Sequence, residues 1–151
     1  MGSDPLAIFN AIRGINVQYG TPPVTPTMPA IDEIPDLINT ANLPVRLTLP
    51  VWDVEGDQIH PVALGRTWEV TWTVNDVLFV LGATQGLGLG DQLSDMLNYC
   101  GDYIDGIKAL NGGASWWFAN WSIKPQVIEY PPESETWWKA VVAKVMINER
   151  V

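Results

Sequence analysis

TWEVTWTV, residues 67 to 74, places Trp68, Val70, Trp72 and Val74 on one face of an extended strand and Thr67, Glu69, Thr71 and Thr73 on the other. Side chains alternate across a strand with a period of two, and aromatic and β-branched residues suit its pleated surface. One apolar face and one polar face is the pattern of an antiparallel sheet with a single covered side. The reading extends in both directions. Upstream, Val45, Leu47, Leu49 and Val51 alternate with Arg46, Thr48, Pro50 and Trp52, a second strand in which Pro50 marks an edge. Downstream, Val127–Tyr130 reads as a short strand, PPES as a turn and Trp137–Asn148 as a long final strand.

Two helical patterns complete the chain. Near the N-terminus, Ser3 suits an N-cap and Asp4 the positive end of a helix dipole, and Pro5 suits a first turn. Leu6, Phe9, Ile12 and Ile15 then form one stripe; Gly14 weakens the helix and Gly20 is placed to stop it. The main helix is expected from Gly90 to Leu110, burying Leu93, Met96, Leu97, Cys100, Ile104 and Ile107 against Trp68, Val70 and Trp72. Asn111-Gly112-Gly113 ends it. The run VLFVLGATQGLGLG before it is compatible with a strand end or a helical turn.

Between first helix and first strand, residues 20 to 44 carry six prolines, which deny a regular helix or ladder. A connection of this length is usually functional or ordered by a partner. Val24, Met28, Ile31, Ile34, Leu37 and Ile38 make it too apolar for a free linker. It reads as an arm that lies on something, mobile until a neighbouring subunit orders it. The order is helix, arm, strand, strand, helix, strand, strand, with neither a repeat nor a domain boundary: a single α+β domain over residues 1–151, its small antiparallel sheet packed against one long helix.

Composition bounds the function. At 16.7 kDa the chain has the size of one domain, and with Cys100 alone it forms no internal disulfide. No apolar run approaches the ~18 residues of a membrane span. MGSDPLAIFN lacks the basic lead-in of a signal peptide. The net charge is −9 and the eight basic residues are scattered singly, so the basic stripe of a nucleic-acid-binding domain is missing. Charged residues make up only 17% of the chain against 47% apolar, which suggests that other subunits cover part of its surface.

The candidate chemical sites each have a plainer reading. Gly86, Gly88 and Gly90 precede a helix, yet their spacing is not that of a phosphate loop, no Lys-Ser/Thr follows, and Asp91 stands where phosphate would sit; a hinge is expected. Asp53, Glu55 and Asp57 lack the remainder of a calcium loop and read as a solvated turn. His60 has no nucleophile or orienting partner at a recognisable spacing, and Cys100 falls on the apolar helix stripe. Asn120-Trp-Ser matches a glycosylation acceptor, which matters only in a secreted protein. Trp116-Trp117 and Trp137-Trp138 could suggest a sugar-stacking platform, but neighbours on a strand point to opposite faces. No catalytic, cofactor or metal residue is assigned.

The layout resembles the tail terminator proteins of long-tailed bacteriophages. The likeness rests on LPVRLTLPVW, TWEVTWTV, DQLSDMLNYCGDYIDGIKAL and PQVIEYPPESETWWKAVVAKVMINE, in that order. It implies a virion protein, made in the host cytoplasm, that forms a hexameric ring capping the tail tube and meeting the head connector. It implies no catalytic residue and no cofactor. Related head–tail joining proteins share the architecture, and a Trp-rich carbohydrate- or protein-binding module is the alternative from another class. The arm and the surplus of tryptophan point to Val24, Met28, Ile31, Ile34, Trp52, Trp116, Trp117 and Trp137 as candidate subunit or partner contacts. At −9 per subunit a ring would repel itself, and salt would favour it by screening.

Overall fold

The computed structural model describes residues 4–50, 59–61, 68–83, 89–110 and 115–150. Trp52, the acids of DVEGD, the glycines at 86 and 88 and the turn at 111–113 lie outside them, as do the candidate roles given to those residues. The elements are helix α1 (Pro5–Arg13), strands β1 (Val45–Pro50), β2 (Ile59–Pro61) and β3 (Trp68–Ala83), helix α2 (Leu93–Ala109), and strands β4 (Trp116–Glu129) and β5 (Trp137–Arg150). Every strand pairing is antiparallel, in the order β1-β3-β5-β4, with β2 also on β3. The α+β class holds.

WEVTWTV, residues 68 to 74, is the first half of a longer element. β3 runs for 16 residues and takes in VLFVLGA, resolving that stretch as strand. The alternation ends because the second half is covered on both sides: Val77, Leu78, Phe79 and Val80 are all buried. A strand buried on both faces reads as a continuous apolar run. Likewise β4 spans 14 residues rather than four, bringing Trp116, Trp117 and Trp121 into the sheet. Bulges occur in β3 between Phe79 and Leu81 and in β4 between Phe118 and Asn120.

One face carries both helices. Ile8 and Ile12 of α1, and Met96, Tyr99, Cys100, Tyr103 and Ile107 of α2, pack on Val74, Leu78, Val141, Ala143, Val145 and Ile147. The α2 stripe is therefore rotated from the expected one: Leu97 is 54% exposed and Leu93 41%, while Tyr99 and Tyr103 face the sheet. Val70 is buried as expected and Trp72 packs at the core's margin, but Trp68 is 45% exposed. Helical spacing admits both stripes, and the larger tyrosines win the interior because each ring fills more volume, and the Tyr103 hydroxyl finds a partner in Asp76. In α1, Leu6 stays exposed and the helix ends at Gly14, not Gly20. Its N-cap is Asp4, whose side chain accepts the Ala7 N–H at 3.1 Å, with Pro5 in the first turn.

The opposite face was expected to be solvated throughout, and half of it is not. Ile38 is buried against Val45, Leu47, Val77, Phe79, Trp138 and Ala140, and Ile34, Leu43, Ile128 and Tyr130 border them. The Tyr130 hydroxyl donates to the Pro35 carbonyl at 2.8 Å, Arg13 Nη2 donates to Pro29 at 2.7 Å, and Thr27 bridges Val45 beside β1. The Pro-rich connection is thus fastened to its own sheet at several points. Prolines lower the entropy that docking costs, and the apolar residues drive it. Replacing Ile38 by Ala should lower the unfolding free energy of the isolated monomer by roughly 2–5 kcal/mol. An unchanged denaturation midpoint would mean that the segment is held by neighbours alone.

Candidate functional site

The strongest electrostatic feature is internal. Arg46 and Asp76 are diagonal neighbours across β1 and β3 on the helix side, Arg46 standing opposite Leu78 and Asp76 opposite Thr48, and both are almost completely buried. Arg46 Nη2 lies 2.6 Å from Asp76 Oδ2, and Nε reaches both carboxylate oxygens at 3.0 and 3.1 Å. Thr48 Oγ1 donates to Oδ1 at 3.1 Å and the Tyr103 hydroxyl to Oδ2 at 2.7 Å. The guanidinium's remaining donors go to the carbonyls of Ile15 at 2.7 Å and Ile12 at 2.8 Å, which satisfies the C-terminal end of α1. Its plane also lies over the Tyr103 ring, 5.8 Å from the centroid. Four elements meet on two charges.

Burial alone would lower the Arg46 pKa, but the hydrogen bonds and charge of Asp76 more than offset it, and the group is held above its usual value. Burial, and then the Asp76 charge, raise Tyr103 and Tyr99 well above the ordinary 10. Burial raises Tyr130, and Asp36 adds to the effect. Tyr19, which donates to Gln92 at 2.7 Å, is pushed up to about 12 by burial and then by Asp95. This is a clasp rather than a reaction centre: both carboxylate oxygens and all three guanidinium nitrogens are committed to fixed partners. Spacing did not single it out, although a lone Arg in VRL and a lone Asp in an apolar run were its traces.

A second buried carboxylate, Glu149, accepts Trp72 Nε1 at 3.0 Å and the Asp4 backbone N–H at 2.9 Å, tying the start of α1 to the end of β5. Cys100 is buried, and its thiol is pushed up by burial. No group of three or more His, Cys, Asp or Glu among the described residues is placed to hold a metal ion. No helix there is long and apolar enough to cross a membrane.

The surface is where candidate contacts lie, and the structure distributes them. Val24 is 45% exposed at the turn beyond Tyr19, with Met28 and Ile31 half-buried further along. Ile34 belongs instead to the chain's own second core, and Trp116 packs against the helix-side core and edge-to-face on Phe118. Trp137 is half-buried opposite Ala83 and Glu129. Trp117 is exposed on the other face, with the Arg150 guanidinium 5.7 Å from its ring centroid. Trp121, absent from the expected contacts, is equally exposed on β4, the sheet's edge strand. These residues do not converge on one patch: the register puts Trp117 opposite Asn148 on the face away from the helices and Trp121 opposite Val145 on the helix face, and Val24 stands at the turn that pairs with Tyr19.

The second surface feature is a groove of about 570 Å³ between α2 and the turn at residues 18–23. Asp95, Asp102 and Asp105 line it with Leu97 and Asn98, facing Gln18, Thr21 and Pro23. Thr21 Oγ1 donates to Asp95 at 3.1 Å across the gap. No protein-family model matches this chain, and comparison with curated proteins gives no match.

Two outcomes follow from the clasp. Asp76→Ala leaves Arg46 buried and unpaired and should cost about 3–5 kcal/mol in denaturant unfolding, while replacing both members by apolar residues should cost less than the single change. Equal losses would deny the coupling. The raised tyrosines contribute stability that is fully present below pH 10 and is lost as pH climbs toward their folded-state values. Phenolate absorbance should therefore stay low through pH 10 and rise together with unfolding. Ionisation at 10 in a folded chain would show these hydroxyls to be solvated.

Proposed function

We propose that this chain is a ring-forming structural protein of the virion, a tail terminator that caps the tail tube and joins it to the head connector of a long-tailed bacteriophage. The observation that carries the reading is β4, an edge strand of 14 residues whose outer side has no strand beside it among the described residues. An open edge of that length is a ready template for another chain, and single domains normally blunt it. Here the bulge near Ala119 and the missing N–H of Pro125 interrupt any continuous ladder, yet Trp117 and Trp121 remain exposed. A neighbour would then be met by side chains, with aromatic anchors of the kind that dominate subunit interfaces.

The order of elements supports the same reading. A helix, a long connection, an antiparallel sheet and a crossover helix before the closing strands follow the layout that the sequence resembles. Head-to-tail contacts between such subunits close into a ring when the rotation permits. Tail tubes assembled without this protein, then mixed with it and imaged, should acquire it at one end only, and sedimentation should show a multimer there. Tube ends that never acquire the protein would refute the terminator reading.

A further inference from the structure

Two patches of exposed charge, one acidic and one basic, lie on opposite sides of the sheet. Along the outer flank of α2, Asp91, Asp95, Asn98, Asp102 and Asp105 form one stripe, beginning in the short turn of 3-10 helix that leads into it. Like charges three or four residues apart destabilise a helix by a few tenths of a kcal/mol per pair, so the stripe is a cost within the single chain. On the far side of the sheet, the register places Lys124 opposite Val142, Ser122 opposite Lys144, and Arg150 opposite Glu69. Lys124, Lys144 and Arg150 are exposed, and the half of that face they occupy is not covered by the Pro-rich connection. Among the described residues the only ion pair is the buried Arg46–Asp76. Among the described residues, neither the aspartates of the helix flank nor these three cations form an ion pair.

We propose that the acidic groove beside α2 receives the basic sheet face of a second copy of this chain, so that successive subunits join head to tail. The inference rests on the self-assembly reading above and names the surfaces that meet. Three features make the fit specific. Asp102 and Asp105 are about 5–6 Å apart at Cβ. Lys124 and Lys144 are diagonal neighbours on the sheet, roughly 7–8 Å apart, so two flexible ammonium groups reach two carboxylates. Leu97, 54% exposed in the groove, meets an apolar counterpart in Met146, which lines a depression with Asn120, Ser122 and Lys144 on the face away from the helices. The two surfaces lie on opposite sides of the sheet, so one subunit uses both at once and the contact is heterologous. The groove and the basic face act within about 10 Å, the screening length at 0.1 M salt, whereas the net repulsion of −9 per subunit acts over longer range.

The test is charge reversal with complementation. One variant carries Lys124→Glu and Lys144→Glu, the other Asp102→Lys and Asp105→Lys; all four positions are exposed, and thermal unfolding verifies that each variant is folded. Sedimentation velocity is run on wild type, on each variant, and on their equimolar mixture, alone and with tail tubes. The expected result is assembly by wild type, its loss in each variant, and its return in the mixture, where reversed faces meet reversed grooves. Assembly by either variant on its own, or a mixture that stays monomeric, overturns this docking and leaves the ring reading standing. A wild-type chain that stays monomeric with and without tubes overturns both.

Discussion

The Arg46–Asp76 pair is the constraint on which the remaining structure depends. Two full charges are withdrawn from water, at a cost repaid only if every hydrogen-bonding position is filled. The filling comes from separate parts of the chain: Thr48 from β1, Tyr103 from α2, and the last carbonyls of α1. A shift of either helix along the sheet would leave a buried charge or carbonyl unsatisfied. The apolar contacts around it tolerate small slips, because dispersion and burial are nearly non-directional. The ionic clasp does not, and so it fixes where α1 and α2 sit.

With the helices fixed on one face, the sheet has two remaining ways to lose apolar surface. The Pro-rich connection covers the β1 end through Ile38, and Tyr130 and Trp138 close the margin against Phe79. The β4 end has no such cover. What is left open on that face is polar across β3 and β5, where Thr71 donates to Asn148 and Asn148 to Glu69, and aromatic at the edge, where Trp117 stands. The same domain therefore presents a closed side and an open side. That asymmetry suits a protein that works by contact with neighbours.

Much of this was legible in the residues themselves. Period-two alternation marks β1, the first half of β3 and β5, and the spacing of apolar residues with Pro5 and the later glycines marks both helices, because these signals are local and each element's geometry imposes them. The α+β class, the antiparallel pairing and the burial of Val70, Val74 and Cys100 follow from that alone. Of the candidate contacts, Trp117 and Val24 are exposed. Ile34 and Trp116 look the same in sequence and serve the chain's own cores.

What only the tertiary structure decided has a common physical cause: these outcomes depend on partners far away along the chain. Local spacing allows two stripes on α2, and the choice of Tyr99 and Tyr103 over Leu93 and Leu97 follows from what lies beneath the helix, including Asp76. Whether VLFV is helix or strand depends on whether both faces find cover, which the segment around Ile38 supplies from some forty residues upstream. The fates of Arg46 and Asp76, 30 positions apart, are set by a register that no single strand contains. By itself the sequence determined which residues alternate and which faces are apolar, since those are properties of consecutive positions. The fold decided what each face meets, because burial and charge compensation belong to pairs brought together only in three dimensions.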